Sequence, residues 1–381
     1  MKIALVHDEL IRRGGAEQVT LLMHKAFPGA PIYTTCYNSA TTYSEFKDCD
    51  IRTSWLNRFI KDEKNLKRFF FPFSFWSMRS LNLNEFDVVF MSTTTYGKFI
   101  KPNKNALVVS FTHYPFRLAW FPESYNQVKE SSGLKKTLFG LLVKTLREMD
   151  YKAAQRIDFH ITNTPKIKTI LENCYQTTNA VSVIPASIVC DNFIVKEFPS
   201  EDFYLLVSRF EPYKKVDLVI EAFNELPDKR LIVVGKGSQK DYCRKIAGPN
   251  VEFKEGISTE ELKELYANCK AFLFPQEEDY GLTPIEANAS GRPVIAYGKG
   301  GVTYTTIPYD GDSKRCTAIY FDEQNKEKLI QAIQLCEQLE FNPHFIRKHA
   351  EQFDEKVFIE KIRNFVFEKY KEHVDKTTKH S

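Results

Sequence analysis

The sequence predicts an α/β chain of two doubly wound, Rossmann-like domains facing each other across a cleft. Three observations carry this expectation. Short apolar runs alternate with amphipathic stretches through most of the chain. The alternation runs through twice, with a linker-like break near 189–202. A length of 381 residues suits two domains, each large enough to bury its own core.

Composition narrows the class. Thirty-one Phe and 18 Tyr make an otherwise ordinary soluble composition rich in aromatics. No apolar run approaches the roughly 18 residues of a membrane span, and TLFGLLVKTL (137–146) is broken by Lys144. The chain opens on a strand at 3–6, so a signal peptide is not expected. Eight scattered Cys without a C-x-x-C pair read as reduced thiols of a cytoplasmic protein. The net charge of +4 is uneven: residues 1–195 carry +8 and the rest −4. A basic half suggests an anionic partner such as a membrane surface, a lipid diphosphate or nucleic acid. No G-x-G-x-x-G, Walker loop or G-x-S-x-G elbow is present, which disfavours dehydrogenase, P-loop kinase and α/β-hydrolase. D-x-D pairs at Asp48/Asp50 and Asp310/Asp312 match the pattern of a metal-dependent transferase, at a frequency chance explains. No metal site is expected.

The elements follow in order. Residues 2–27 read strand, loop, helix, with Val19, Leu22, Met23 and Phe27 at helical spacing. Gly14 and Gly15 precede the helix, as a tight turn or as a glycine loop feeding a helix N-terminus. In 52–80, seven Lys/Arg interleave with Trp55, Phe59, Phe69, Phe70, Phe71, Phe73, Phe75 and Trp76. That mixture suits a segment lying on anionic lipid, or aromatic helices packed on the core. No RRM, KH or zinc pattern supports nucleic-acid binding. Strands are expected at 86–91 and 106–111, with His113 just past the second. A strand and turn follow at 158–164, then a last strand at 181–188.

The second half opens with a strand at 205–208 and a helical stripe of Val216, Val219, Ile220 and Phe223. Arg209 and Lys214 bracket the loop between them, either gripping a diphosphate or solvated at the surface. Strands at 231–237 and 251–257 end in glycine turns, and Ser258 with Glu261 spells a capping box. A buried strand at 271–274 runs into a polar loop, and then Thr283, Pro284 and Glu286 spell a helix start with Thr283 as cap. The amides of Gly281, Leu282 and Thr283 would face an anion, and Gly281 permits close approach. Glu278 and Glu286 flank that position. Carboxylates beside a phosphate site suit hydroxyl donors, which describes a nucleotide-sugar pocket. The plainer readings are a solvated loop acid for Glu278 and a capping residue for Glu286. Residues 355–374 form an amphipathic helix with Phe358, Ile362, Phe365 and Tyr370 on one face.

Glu278-x7-Glu286, within EEDYGLTPIEANASGRPVIAYGKGG, resembles the signature of family 4 retaining glycosyltransferases, which have the two-Rossmann glycosyltransferase B fold. The EED-aromatic-Gly form is most similar to mannosyltransferases of O-antigen and capsule synthesis. Three other stretches share the likeness: GGAE with Gly14 and Gly15, His113-x-Pro115-x-Arg117, and the five-residue spacing of Arg209 and Lys214. After Gly300-Gly301 the family has an acidic residue, where this chain reads VTYTTI. The resemblance implies an acceptor-binding domain at 1–195, a nucleotide-sugar domain at 196–355 and a helix, 356–381, crossing back to the first. It implies catalytic roles for Glu278, His113, Arg209 and Lys214. Donor contacts are implied for Gly14, Gly15, Arg209, Lys214, Gly235, Gly256, Glu278, Tyr280, Gly281, Leu282, Thr283 and Glu286. The implied reaction is α-retaining transfer of mannose from GDP-mannose to a polyprenyl-diphosphate-linked oligosaccharide, in lipopolysaccharide or capsule synthesis. It would proceed without metal or other cofactor, peripherally on the inner face of the cytoplasmic membrane. Transfer from another nucleotide sugar (UDP-GlcNAc or UDP-glucose), sugar-nucleotide epimerisation and non-catalytic carbohydrate or lipid binding are the alternatives.

Overall fold

The structure, a computed structural model, describes residues 1–60, 66, 71–125, 133–177, 180–198 and 201–379. The chain divides into two compact units, Met1–Ala186 with Phe358–Ser381, and Ser187–Val357. The division precedes the expected linker, because residues after Ala186 already bond within the second unit. Ile188 N–H donates to Phe353 O at 3.0 Å, and Glu355 N–H returns to Ile188 O at 2.8 Å.

The first unit is a seven-stranded parallel sheet: β1 (Ile3–His7), β2 (Ile32–Thr34), β3 (Ile51–Thr53), β4 (Val88–Thr93), β5 (Leu107–Thr112), β6 (Phe159–Thr162) and β7 (Val181–Val183). Its order is β3-β2-β1-β4-β5-β6-β7. β4 and β5 are buried along their whole length, as continuous apolar runs require. The helix Gly15–Ala26 begins earlier than expected, so Gly15 lies inside it and Gly14 is its cap residue. The helix Glu355–Lys379 completes this unit's core from residue 358 onward. Phe358 sits 5.8 Å from the Phe111 ring, Phe365 6.1 Å from Phe159, and Arg363 Nε donates to Ala26 O at 3.0 Å.

The basic aromatic stretch 52–80 divides its side chains between inside and outside. Leu56, Ile60 and Leu66 bury against Ile11 and Cys36, and Phe75 and Met78 enter the main core. Trp55, Phe59, Phe73 and Trp76 stay exposed, Trp76 at 61%. Phe69 and Phe70 lie outside the described residues. No described helix is long and apolar enough to cross a membrane.

The second unit is a six-stranded parallel sheet: β8 (Phe203–Val207), β9 (Arg230–Val234), β10 (Val251–Lys254), β11 (Phe272–Phe274), β12 (Val294–Tyr297) and β13 (Ala318–Phe321). Its order is β10-β9-β8-β11-β12-β13. The winding reverses where β8 meets β11, Leu205 pairing with Phe272. Ligands of such sheets bind at the carboxyl ends of the strands beside that reversal. The loops after β8 and β11 therefore hold the position of interest.

Candidate active site

The loop after β8 carries Arg209 and Lys214, and the loop after β11 carries Glu278. The three line one cavity of about 370 Å³, together with Gly235, Leu282 and Thr283. Two glycines shape the turn after β9, which brings Gly235 and Lys236 to the cavity. Gly235 adopts φ +143°, and a Cβ there would collide with the Ser208 carbonyl oxygen. A Cβ on Gly237 would meet the Phe210 backbone at 2.5 Å. The turn after β9 can therefore lie flat on the turn after β8, stitched by Phe210 N–H to Lys236 O (3.0 Å) and Gln239 N–H to Phe210 O (2.9 Å).

Between the two cations stands Tyr213. Its hydroxyl accepts from Arg209 Nη2 at 2.8 Å, and Lys214 Nζ lies 5.2 Å from its ring centre. Lys214 Nζ also forms an ion pair with Glu278 Oε1. Burial, then the Arg209 guanidinium, pulls Lys214 down to about 8. The site thus joins a fixed guanidinium, an easily neutralised ammonium and a carboxylate. Such a set can hold a diphosphate and accept hydroxyl donors beside it.

Residues 191–357 match the family described as "Glycosyl transferases group 1". Across 97% of its length the chain superposes on sucrose-phosphate synthase from Thermosynechococcus elongatus, covering 99% of that chain with a TM-score of 0.70 at 16% identity. Residues 191–357 thus belong with the group 1 glycosyl transferases, and the chain as a whole shares the two-Rossmann fold. Among relatives, this glycosyltransferase is 22% identical to an α-1,3/1,6-mannosyltransferase of Candida glabrata, over 97% of this chain and 92% of that one. It is 28% identical to a sulfoquinovosyl transferase of Arabidopsis thaliana over 44% of this chain, and spans only 33% of that protein.

The other sequence-derived residues of the glycosyltransferase fall into distinct settings. Gly281 has φ +86°, and a Cβ there would press on the Phe274 ring at 2.9 Å. The helix starts at Thr283 with Leu282 as its cap residue and no side-chain cap, so Thr283 does not cap as expected. Glu286 does not act as the reciprocal capping residue either. Its Oε2 accepts from the Tyr266 hydroxyl at 2.7 Å, and burial raises its pKa against that bond. Tyr280 packs against the buried cluster that includes Ile285, Ala289 and Phe353. Gly256, Tyr280 and Glu286 are not among the cavity's lining residues. Gly300 and Gly301 have a packing reason: a Cβ on either would collide with the backbone of 278–280, and Gly301 N–H donates to Glu278 O at 2.7 Å. Where the family's acid would follow, the chain forms the short helix Val302–Thr305.

In the first unit, His113 follows β5, with Nε2 2.9 Å from Ser92 Oγ. Burial, then His7, pushes its pKa down to about 4, so the ring is neutral at physiological pH. Tyr114, the departure within the His-x-Pro-x-Arg segment, lies 4.1 Å beneath the Arg117 guanidinium. A Cβ on Gly14 would meet Glu17 Oε2 at 2.6 Å, so the Glu17 side chain would have to shift, while Gly15 faces open space. Glu17 is buried beside Arg12 (3.1 Å) and His7 (3.8 Å).

Sequence reasoning missed Asp8, Tyr213 and Gln276. Asp8 accepts from Thr93 Oγ1, the amides of Thr94, Thr95 and Gly97, and Thr94 Oγ1, all within 2.9 Å. It anchors the loop after β4. The two D-x-D pairs serve locally: Asp50 pairs with Arg52 at 2.9 Å, and Asp312 caps the turn at Lys314 N–H at 2.9 Å. Among the described residues no group of three or more His, Cys, Asp or Glu could hold a metal ion.

Proposed function

We propose that the protein transfers a hexose, with mannose from GDP-mannose as the leading donor, to a hydroxyl of a polyprenyl-diphosphate-linked oligosaccharide in surface-polysaccharide synthesis. The anomeric α configuration is retained. The observation that carries this reading is the convergence of Arg209, Lys214 and Glu278 on one cavity beside the β8–β11 reversal. As the glycosidic bond breaks, negative charge grows on the leaving diphosphate. Arg209 offers a planar fork to its oxygens and Lys214 a mobile point charge. A diphosphate draws Lys214 away from Glu278, and the released carboxylate accepts hydroxyls of the donor sugar. These cations supply the charge that a divalent metal supplies in other transferases, so transfer runs without added metal.

The donor choice is supported by the EED-aromatic-Gly motif and by the likeness to a mannosyltransferase. A second reading is transfer of a different sugar from another nucleotide sugar such as UDP-glucose or UDP-GlcNAc, and the likeness to a transferase named for sulfoquinovose favours a sugar other than mannose. The first unit, with its positive charge and exposed aromatics, binds the acceptor and rests on the inner face of an anionic membrane.

A thermal-shift panel tests the donor, since a ligand that binds only the folded state raises its stability. GDP-mannose should give the largest shift; a larger shift with UDP-glucose or UDP-GlcNAc overturns mannose and leaves the transferase reading. Transfer to a lipid-linked acceptor should persist in EDTA, and loss restored by Mn²⁺ overturns metal independence. Donor turnover without acceptor would indicate an epimerase, and donor affinity without turnover a binding protein.

A further inference from the structure

One polar atom in the cavity wall has no partner. Gln276, just past β11, is 2% exposed and lines the same cavity as Arg209, Lys214 and Glu278. Its Nε2 donates to Glu278 Oε1 at 3.4 Å. Its Oε1 is buried and receives no hydrogen bond in the structure. Exchanging the two ends of the amide would turn an oxygen onto the Glu278 carboxylate, so the orientation is set by charge. Native proteins seldom keep a buried amide oxygen without a donor, and those that do so beside a ligand cavity leave the donor to the ligand.

The chemistry of that ligand group follows from what surrounds it. Arg209 and Lys214 carry donor groups and no acceptor atom of their own, which matches them to phosphate oxygens. A phosphate oxygen is itself an acceptor, so it cannot satisfy Gln276. The group facing Oε1 must carry a proton to give, and the groups flanking the diphosphate of a nucleotide sugar that do so are hydroxyls of the ribose and of the sugar. We propose that Gln276 is a specificity-determining residue that accepts a hydrogen bond from a hydroxyl next to the donor diphosphate. This rests on the nucleotide-sugar reading of the cavity. When the diphosphate draws Lys214 from Glu278, the linked Glu278–Gln276 pair is released to turn toward that hydroxyl.

The test is calorimetric titration of wild type and Gln276→Met, which keeps the length but loses the amide oxygen, with GDP, GDP-mannose, UDP and UDP-glucose. For the preferred nucleotide sugar the variant should bind about 10-fold more weakly, the worth of one hydrogen bond. Loss confined to the nucleotide sugar assigns the bond to a sugar hydroxyl, and equal loss with the nucleoside diphosphate assigns it to the ribose. Unchanged affinity for both overturns the proposal. If wild type binds none of the four ligands, the nucleotide-sugar reading itself falls and takes the proposal with it. Should Gln276→Met fail to fold, wild type alone decides, using analogues of the preferred donor that each lack one ribose or sugar hydroxyl. At least one should lose about 10-fold in affinity. Equal binding of all of them to wild type overturns the proposal.

Discussion

Lys214 holds its charge close to the edge of the working pH range. Burial and Arg209 bring it to about 8, and the diphosphate needs it protonated. Donor kcat/KM, which reports the free enzyme, should therefore fall as pH rises through about 8. Lys214→Arg should flatten that limb, because a guanidinium keeps its charge. An identical fall in both proteins would assign the limb to another group. Glu278→Gln removes the carboxylate that meets both Lys214 and Gln276. With a side-chain exposure of 22%, Glu278 is not a core group, so the melting temperature should hold while kcat drops about 100-fold. Wild-type kcat in that variant would reduce Glu278 to a partner of Lys214. At this scale the legible residues were those on patterned strand ends: Arg209, Lys214, Gly235 and Glu278. Gln276 and Asp8 were not legible, since one amide or one acid after a strand has no pattern. The donors to Asp8 come from residues 93–97, far along the chain.

The helix Thr283–Ala289 shows how a local signature and a tertiary contact compete for one side chain. Its sequence, TPIE, matches a capping box, yet Glu286 reaches Tyr266 on the helix Thr259–Asn268 instead. Ser258, with a similar spelling, does cap, accepting from Glu261 N–H at 3.0 Å. Glu261 meets Lys254 at 3.0 Å, so only half of that box forms. Tyr266→Phe should expose the difference. It removes the donor that lowers the raised pKa of Glu286, leaving a buried carboxylate unpaired at a cost of about 1–3 kcal/mol. A carboxyl whose folded pKa lies above its unfolded value loses stability as pH rises between the two. The variant should therefore melt lower than wild type by more at pH 8 than at pH 4. Equal losses at both would place the cost in packing alone. The strands that escaped the sequence were β2, β3 and β13, of three or four residues each. The core strands β4, β5, β8 and β9 were legible because burial on both faces writes them as unbroken apolar runs.

For the whole molecule, the exposed rings of the first unit bear on where the enzyme works. Phe73 and Trp76, 43% and 61% exposed, stand on the outer side of the helix Phe71–Arg79, whose Phe75 and Met78 face the core. Changing both to Ser should lower co-sedimentation with vesicles containing anionic lipid and leave the melting temperature unchanged. Undiminished co-sedimentation by a folded variant would move the membrane contact elsewhere. The paired neck at Ile188 and Asp354 has a further consequence, one that concerns time. The second unit is an unbroken stretch, Ser187–Val357, closed at its base by that neck, whereas the first waits for Phe358, Ile362 and Val366. A ribosome working from the amino end thus completes the later unit first, against the usual rule that domains finish in the order they are made. Nascent chains released at residue 357 should already resist protease across 187–357 while 1–186 is still cut. Equal protection of both stretches would mean that the first unit needs no closing helix to fold.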